Sequence, residues 1–383
     1  MQKIVIAIDS FKGCLSSKVL AEAVSEGIKE IYPKVTIRSL GIADGGEGTL
    51  DVLLDALHGE RVACPAYNPL RQPIEATYGW IESQKLAIVE MASASGLTLI
   101  PFQEGNVMRT TTYGTGQLIA DALRRGCRHI LLTIGGSATN DAGIGLLQAL
   151  GFHFLDNEGK EVADGGAHLN EIASVDESQV LPELKECTFE IAVDVTNPFY
   201  GEEGAARVFA PQKGATPQQV EQLDEAMRYW AEFIRRHYAI DFQQMAGSGA
   251  AGGLGGGCAV FLKARLLSGI ELIKQLLNFD EEIKDADLII TGEGKIDGQT
   301  SQGKVISGVL ESAKRLQIPV IALTGNCQER NPILESEEWL SVFSIQAAPT
   351  TLKEAMNPSY TYLQTRQTTK NIMKLIRLSM LNT

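Results

Sequence analysis

Residues 291–304, TGEGKIDGQTSQGK, lie between an apolar run, ADLII at 286–290, and an amphipathic stretch, VISGVLESAKRL at 305–316. An apolar run of strand length, a glycine-rich loop and a helical pattern predict a strand–turn–helix unit. Open α/β sheets carry ligand-binding groups there, beyond the carboxyl ends of their strands. Glycine lets backbone approach a ligand closely, and the amides at a helix start favour anions such as phosphate. Gly298, Gly303 and Lys304 give G-x-x-x-x-G-K, but Val305 stands where a phosphate loop needs a Ser or Thr hydroxyl. The near-match is either a coincidence of glycines or a different phosphate-binding solution. Glu293, Lys295 and Asp297, at alternate positions, bring more charge than a turn requires.

The same alternation recurs at both ends of the chain. KIVIAI at 3–8 precedes a helical pattern over 17–30, and TIRSLGI at 36–42 precedes another over 47–58. PVIALT at 319–324 and SVFSI at 341–345 follow the opening stretch, and a helix over 358–380 closes the sequence. Such alternation predicts parallel β-α units covered on both faces. In the middle, VACPAYNP, IEATYGWI and LAIVEMA succeed one another without helices between them, which predicts an antiparallel or mixed sheet. Helices near 116–125, 141–150 and 216–238 and strands HILLTIG, FHFLD and FEIAVDV follow. The fold class is therefore α/β with two domains. One is discontinuous, 1–65 with 280–383, and the other is an inserted mixed-sheet domain, 66–279.

With 383 residues, 44% of them hydrophobic, the sequence has ample apolar content for two globular domains. The formal net charge of −13, with no Lys/Arg-rich block, argues against nucleic acid or anionic membrane as main partner. The apolar start MQKIVIAIDS is too short for a signal peptide, and no run reaches a membrane-helix length of ~18 residues. The cytoplasm is the expected location. Six scattered cysteines without a C-x-x-C pair exclude the common zinc frameworks. The five histidines lie outside the glycine-rich loops, so base chemistry falls to a carboxylate or lysine.

Further loops after predicted strands share this character. Asp9-Ser10-Phe11-Lys12-Gly13 places Lys12 at the sheet's carboxyl edge. Asp44-Gly45-Gly46-Glu47 offers two carboxylates to Mg²⁺, or a helix cap and a first-turn acid. Gly114, Thr115 and Gly116 in TTYGTG, and Gly135, Gly136, Ser137, Thr139, Asn140 and Asp141 in GGSATNDAG, could present amides and hydroxyls to phosphate. Asp141 fits an N-cap equally well. Asp194 ends an apolar strand, costly for an acid unless it is paired or metal-bound. Asn197, Lys213 and the glycine run 247–257 follow, the last as a tight helix start or a hinge. Phosphate cradles, lysines and carboxylates without histidine or cysteine chemistry are the equipment of phosphoryl transfer.

Eight motifs in order carry a resemblance: DSFKG, ADGGEGT, TTYGTG, GGSATNDAG, DVTNP, APQKGA, GAAGGLG and TGEGKIDGQT. The chain resembles the bacterial glycerate kinases of type I, essentially end to end. The resemblance implies transfer of phosphate from ATP to D-glycerate at the 2-hydroxyl, with ATP and Mg²⁺ as cofactors. It also implies two α/β domains, one flavodoxin-like, with the active site between them. Asp194 or Asp297 is the expected base, and Lys12, Lys213 and Lys295 are the anion contacts. Ser10, Gly292, Glu293 and Gly294 join the glycine loops above as binding residues, with Asp44 and Glu47 as metal ligands. Self-association is compatible with the sequence. Alternatives are a kinase giving 3-phosphoglycerate or acting on a related hydroxy acid, and a metabolite-binding regulator without catalysis.

Overall fold

The computed structural model describes residues 1–46, 48–101, 107–296, 304–327 and 337–381. In chain order the strands among these are β1 (Lys3–Ile8), β2 (Thr36–Ser39), β3 (Glu60–Tyr67), β4 (Pro73–Ile81), β5 (Leu86–Glu90), β6 (His129–Thr133) and β7 (His153–Leu155). They continue with β8 (Ser174–Asp176), β9 (Thr188–Ala192), β10 (Arg265–Leu267), β11 (Leu288–Ile296), β12 (Val320–Cys327) and β13 (Leu340–Ser344).

The chain forms two compact units. The first holds residues 1–44, 51–57 and 269 onward, and the second holds 45–50 and 58–268. The crossings differ from those expected near 65 and 280. β3 begins at Glu60 and pairs antiparallel with β4, which draws it into the second unit. The helix Gly269–Leu276 belongs to the first, where the Cβ of a residue replacing Gly308 would lie 2.5 Å from Ile270.

In the first unit the strand order is β2-β1-β11-β12-β13, all parallel. Ranked within the unit this is 2-1-3-4-5, the flavodoxin-like order, whose reversal point lies between β1 and β11. β1 reads as a continuous apolar run because it is covered on both faces, and Ile4 through Ile8 are all fully buried. Each such isoleucine contributes about 1.5–3 kcal/mol. The helices Ser17–Lys29 and Pro358–Ser379 pack together, with the Gly27 backbone against that of Arg366. Arg366 donates to Glu30 at 2.9 Å across this contact.

In the second unit the order is β10-β9-β6-β5-β4-β3. β5, β6, β9 and β10 run parallel, while β4 pairs antiparallel with β3 and β5, so the sheet is mixed as its sequence suggests. FHFLD contributes β7 to a separate two-stranded pairing with β8. The helix near 116–125 starts earlier, at Tyr113, and the one near 141–150 is only Ile144–Ala149. The glycine run becomes the helix Ala250–Phe261, kinked by left-handed Ala251, Gly252 and Gly253. A Cβ at Gly252 would lie 2.2 Å from Thr139 O. The run is thus a packed element inside one unit and not an interdomain hinge. Among the described residues no helix is long and apolar enough to cross a membrane.

Candidate active site

The carboxyl edge of the first sheet carries one group of polar residues. β1 ends at Ile8, and the Asp9 amide donates to Gly292 O at 3.0 Å, prolonging the pairing with β11. Asp9 is 4% exposed, and one carboxylate oxygen accepts from the Ser10 amide at 2.7 Å. Burial and the neighbouring Asp44 charge push its pKa up to about 7, against the opposing pull of Lys12 and of Ser10. Lys12 reaches Asp44 with Nζ–Oδ2 at 3.0 Å while its side chain stays half exposed. The loop after β1 folds back through Phe11, whose amide donates to Leu15 O at 2.9 Å.

β11 itself departs from expectation. TGEGKI is strand, paired with β12 as far as Ile296 opposite Cys327, where the composition suggests a turn. Gly292 serves packing, because a Cβ there would meet Leu323 O at 2.2 Å. Gly294 lies beside Phe11, with 3.5 Å from a notional Cβ to Phe11 Cα. Glu293 is buried and Lys295 exposed. Asp297, Gly298, Gly303 and Glu47 lie outside the described residues. Lys304 precedes the helix Val305–Leu316.

The second sheet's carboxyl edge carries another group. After β6, Gly135 and Gly136 are exposed and Ser137 half-buried, and nothing lies within 4 Å of a Cβ built at Gly135. This tip is braced from one side, where Leu97 N donates to Gly136 O at 2.9 Å and Ala138 N to Ser95 O at 3.0 Å. Thr139, Asn140 and Asp141 turn inward and are buried. Asp141 accepts from the Thr112 amide and hydroxyl, both at 2.8 Å, and from the Gly143 and Gly145 amides, both at 3.2 Å. It ties two loops to a helix start, although the N-cap position itself falls to Gly143, and contact with a ligand is closed to it. Burial raises its pKa against these four hydrogen bonds.

Several expected binding residues are structural for related reasons. A Cβ at Gly114 would stand 1.9 Å from Tyr67 O, and one at Gly116 2.3 Å from Leu146 O. Thr115 is buried, with its hydroxyl 2.7 Å from that of Ser95. Lys213, expected as an anion contact, is 3% exposed and donates to Ser137 Oγ at 2.8 Å and Thr139 O at 2.6 Å. Burial lowers its pKa to about 7, opposed by the Asp141 charge. Asp194 contradicts the desolvation argument made for it: β9 stops at Ala192 and Asp194 is exposed. Asn197 is half-buried and donates to Glu203 O at 2.8 Å. Gly45 is buried with φ 89°, and Gly46 O accepts from Thr49 N at 3.3 Å.

The residue that sequence reasoning passed over is Asp9. It is the acid that follows the fully buried run Ile4–Ile8, where the cost of desolvating an acid at the end of an apolar strand, absent at exposed Asp194, does apply. Among the described residues no three His, Cys, Asp or Glu side chains form a metal cage. Mg²⁺ commonly takes one or two protein carboxylates, with phosphate and water supplying the rest. Asp44, already facing a cation in Lys12, fits that requirement.

The Glycerate kinase family profile matches residues 4–377. A Glycerate 2-kinase of Escherichia coli is 40% identical, covering 99% of both chains. A Glycerate kinase of Halalkalibacterium halodurans is 43% identical over 97% of each. A crystal structure from Salmonella typhimurium, described as glycerate kinase 2, superposes with a TM-score of 0.90 at 41% identity, covering 99% of both chains.

Proposed function

Since the chain belongs to the glycerate kinase family, we propose that it phosphorylates D-glycerate with ATP, giving 2-phospho-D-glycerate and ADP. What supports this most is its full-length similarity to a glycerate 2-kinase, together with the residues exposed at the two carboxyl edges. Phosphoryl transfer needs little covalent chemistry from the protein and much positioning and charge neutralisation. Lys12 and Lys295 are exposed cations at one edge, suited to phosphate or carboxylate oxygens. At the other edge, Gly135 and Gly136 offer open backbone that an anion can approach closely.

Asp44, with Glu47, would hold Mg²⁺, which when bound neutralises charge on the phosphates. The base that takes the glycerate hydroxyl proton is Asp297 or Asp194. Asp194 is exposed, so it can reach a substrate, although burial gives no reason for its presence. We place the reaction in the cytoplasm, where ATP is supplied and the six free thiols stay reduced.

Phosphorus and carbon NMR of the product formed from D-glycerate and MgATP tests the reading. 2-Phosphoglycerate is expected. 3-Phosphoglycerate as the product would reassign the acceptor hydroxyl, and absence of ADP-forming turnover with glycerate would overturn the assignment.

A further inference from the structure

The Gly135–Asp141 loop is held from behind by a buried lysine. Lys213 Nζ reaches Ser137 Oγ at 2.8 Å and Thr139 O at 2.6 Å, and the lysine itself is 3% exposed. In its charged form Lys213 has donors and no acceptor, so Ser137 Oγ then accepts from it. The serine's own hydrogen is then the group left to point elsewhere. Ser137 is half-buried beside the exposed Gly135 and Gly136, and among the described residues its hydroxyl has no other hydrogen-bond partner. The Asp141 carboxylate behind the loop favours the charged lysine, and an anion arriving in front of it would do so too.

We propose that Lys213 is a positioning residue that turns the Ser137 hydroxyl outward as a donor to an anionic oxygen of a bound substrate. The lysine's charge strengthens that donor without touching the ligand. Phosphate and carboxylate oxygens share the required chemistry. The inference rests on the glycerate kinase reading for the identity of the ligands alone.

Calorimetric titration of wild type, Ser137→Ala, Lys213→Met and the double variant with MgADP, D-glycerate and, separately, inorganic phosphate tests it. Ser137→Ala should weaken one of MgADP and D-glycerate at least ~10-fold, the scale of one hydrogen bond to a charged group, leaving the other within about twofold. Lys213→Met should weaken the same ligand, and the double variant should be no worse than the poorer single one. In steady-state kinetics the KM of that substrate should rise while kcat stays within about threefold, a split that general loosening of the fold would not produce.

Unchanged affinities in Ser137→Ala, or effects of the two substitutions that multiply, would overturn the proposal. If Lys213→Met does not fold, Ser137→Ala still decides through its two main titrations. A wild type that neither binds nor turns over D-glycerate defeats the functional reading instead. The inorganic phosphate arm then reads the tie by itself, and equal phosphate affinity in wild type and Ser137→Ala defeats it.

Discussion

Replacing Asp9 by Asn should stabilise the first unit at neutral and alkaline pH. The Asp9 pKa rises from 3.8 to about 7, chiefly because the carboxyl is buried and secondly because Asp44 lies near. The sign follows from proton counting. Between pH 4 and 7 the folded chain keeps a proton that the unfolded chain has lost, so stability is fully present below 3.8 and falls as pH rises towards 7. At about 1.4 kcal/mol per pH unit, the displacement corresponds to about 4 kcal/mol as an upper bound. Asn keeps the oxygen that accepts from the Ser10 amide and carries no charge.

The variant should match wild type near pH 4, gain progressively to about pH 7, and level off above it. Because the two units need not unfold together, hydrogen exchange of the β1 amides in urea, without Mg²⁺, is the suitable readout. A variant no more stable than wild type at pH 8, or a difference that does not vary with pH, would refute the reasoning.

Gly114→Ala should destabilise the second unit by about 1–3 kcal/mol or more in urea unfolding, since its methyl would sit 1.9 Å from Tyr67 O. Gly135→Ala, with nothing within 4 Å, should leave the unfolding midpoint unchanged while weakening ligand binding in calorimetry. Asp141→Ala removes the acceptor of four hydrogen bonds in a fully buried site, and should cost about 3–5 kcal/mol or prevent soluble expression, read by thermal unfolding. Asp297→Asn should lower kcat at least ~10²-fold if that acid is the base, and near wild-type turnover would transfer the role to Asp194.

Periodicity and apolar runs reveal the strands of both sheets except the three-residue β10, because residues such as Ile4–Ile8 are buried on both faces and must be apolar throughout. β11 was harder to read beyond Thr291. Gly292, Glu293 and Gly294 look like a loop, and pairing with β12, and at Gly292 with β1 as well, keeps them extended. The roles of Gly114 and Gly116 depend on Tyr67 and Leu146, residues remote in sequence whose approach no local pattern encodes. Lys213 is the clearest case. Its partner Thr139 lies 74 positions away, and exposure is the ordinary condition of a lysine after a glutamine in a loop. The carboxyl-edge location of the loops was legible because strand–loop–helix order determines it. Which side chains face outward from each loop was not, since that depends on packing beneath the loop.

The discontinuous first unit has a consequence for how the chain is made. β1 and β2 are synthesised long before β11, yet β1 pairs with it, and Lys3 bonds to Asp287, 284 positions later. During translation the most apolar strand of the protein therefore emerges without its central neighbour, while the entire second unit can complete itself in the interval. An order of synthesis beginning near Gly269 would deliver all five strands of that sheet consecutively. A circular permutant cut there should consequently depend less on chaperones than the natural order does.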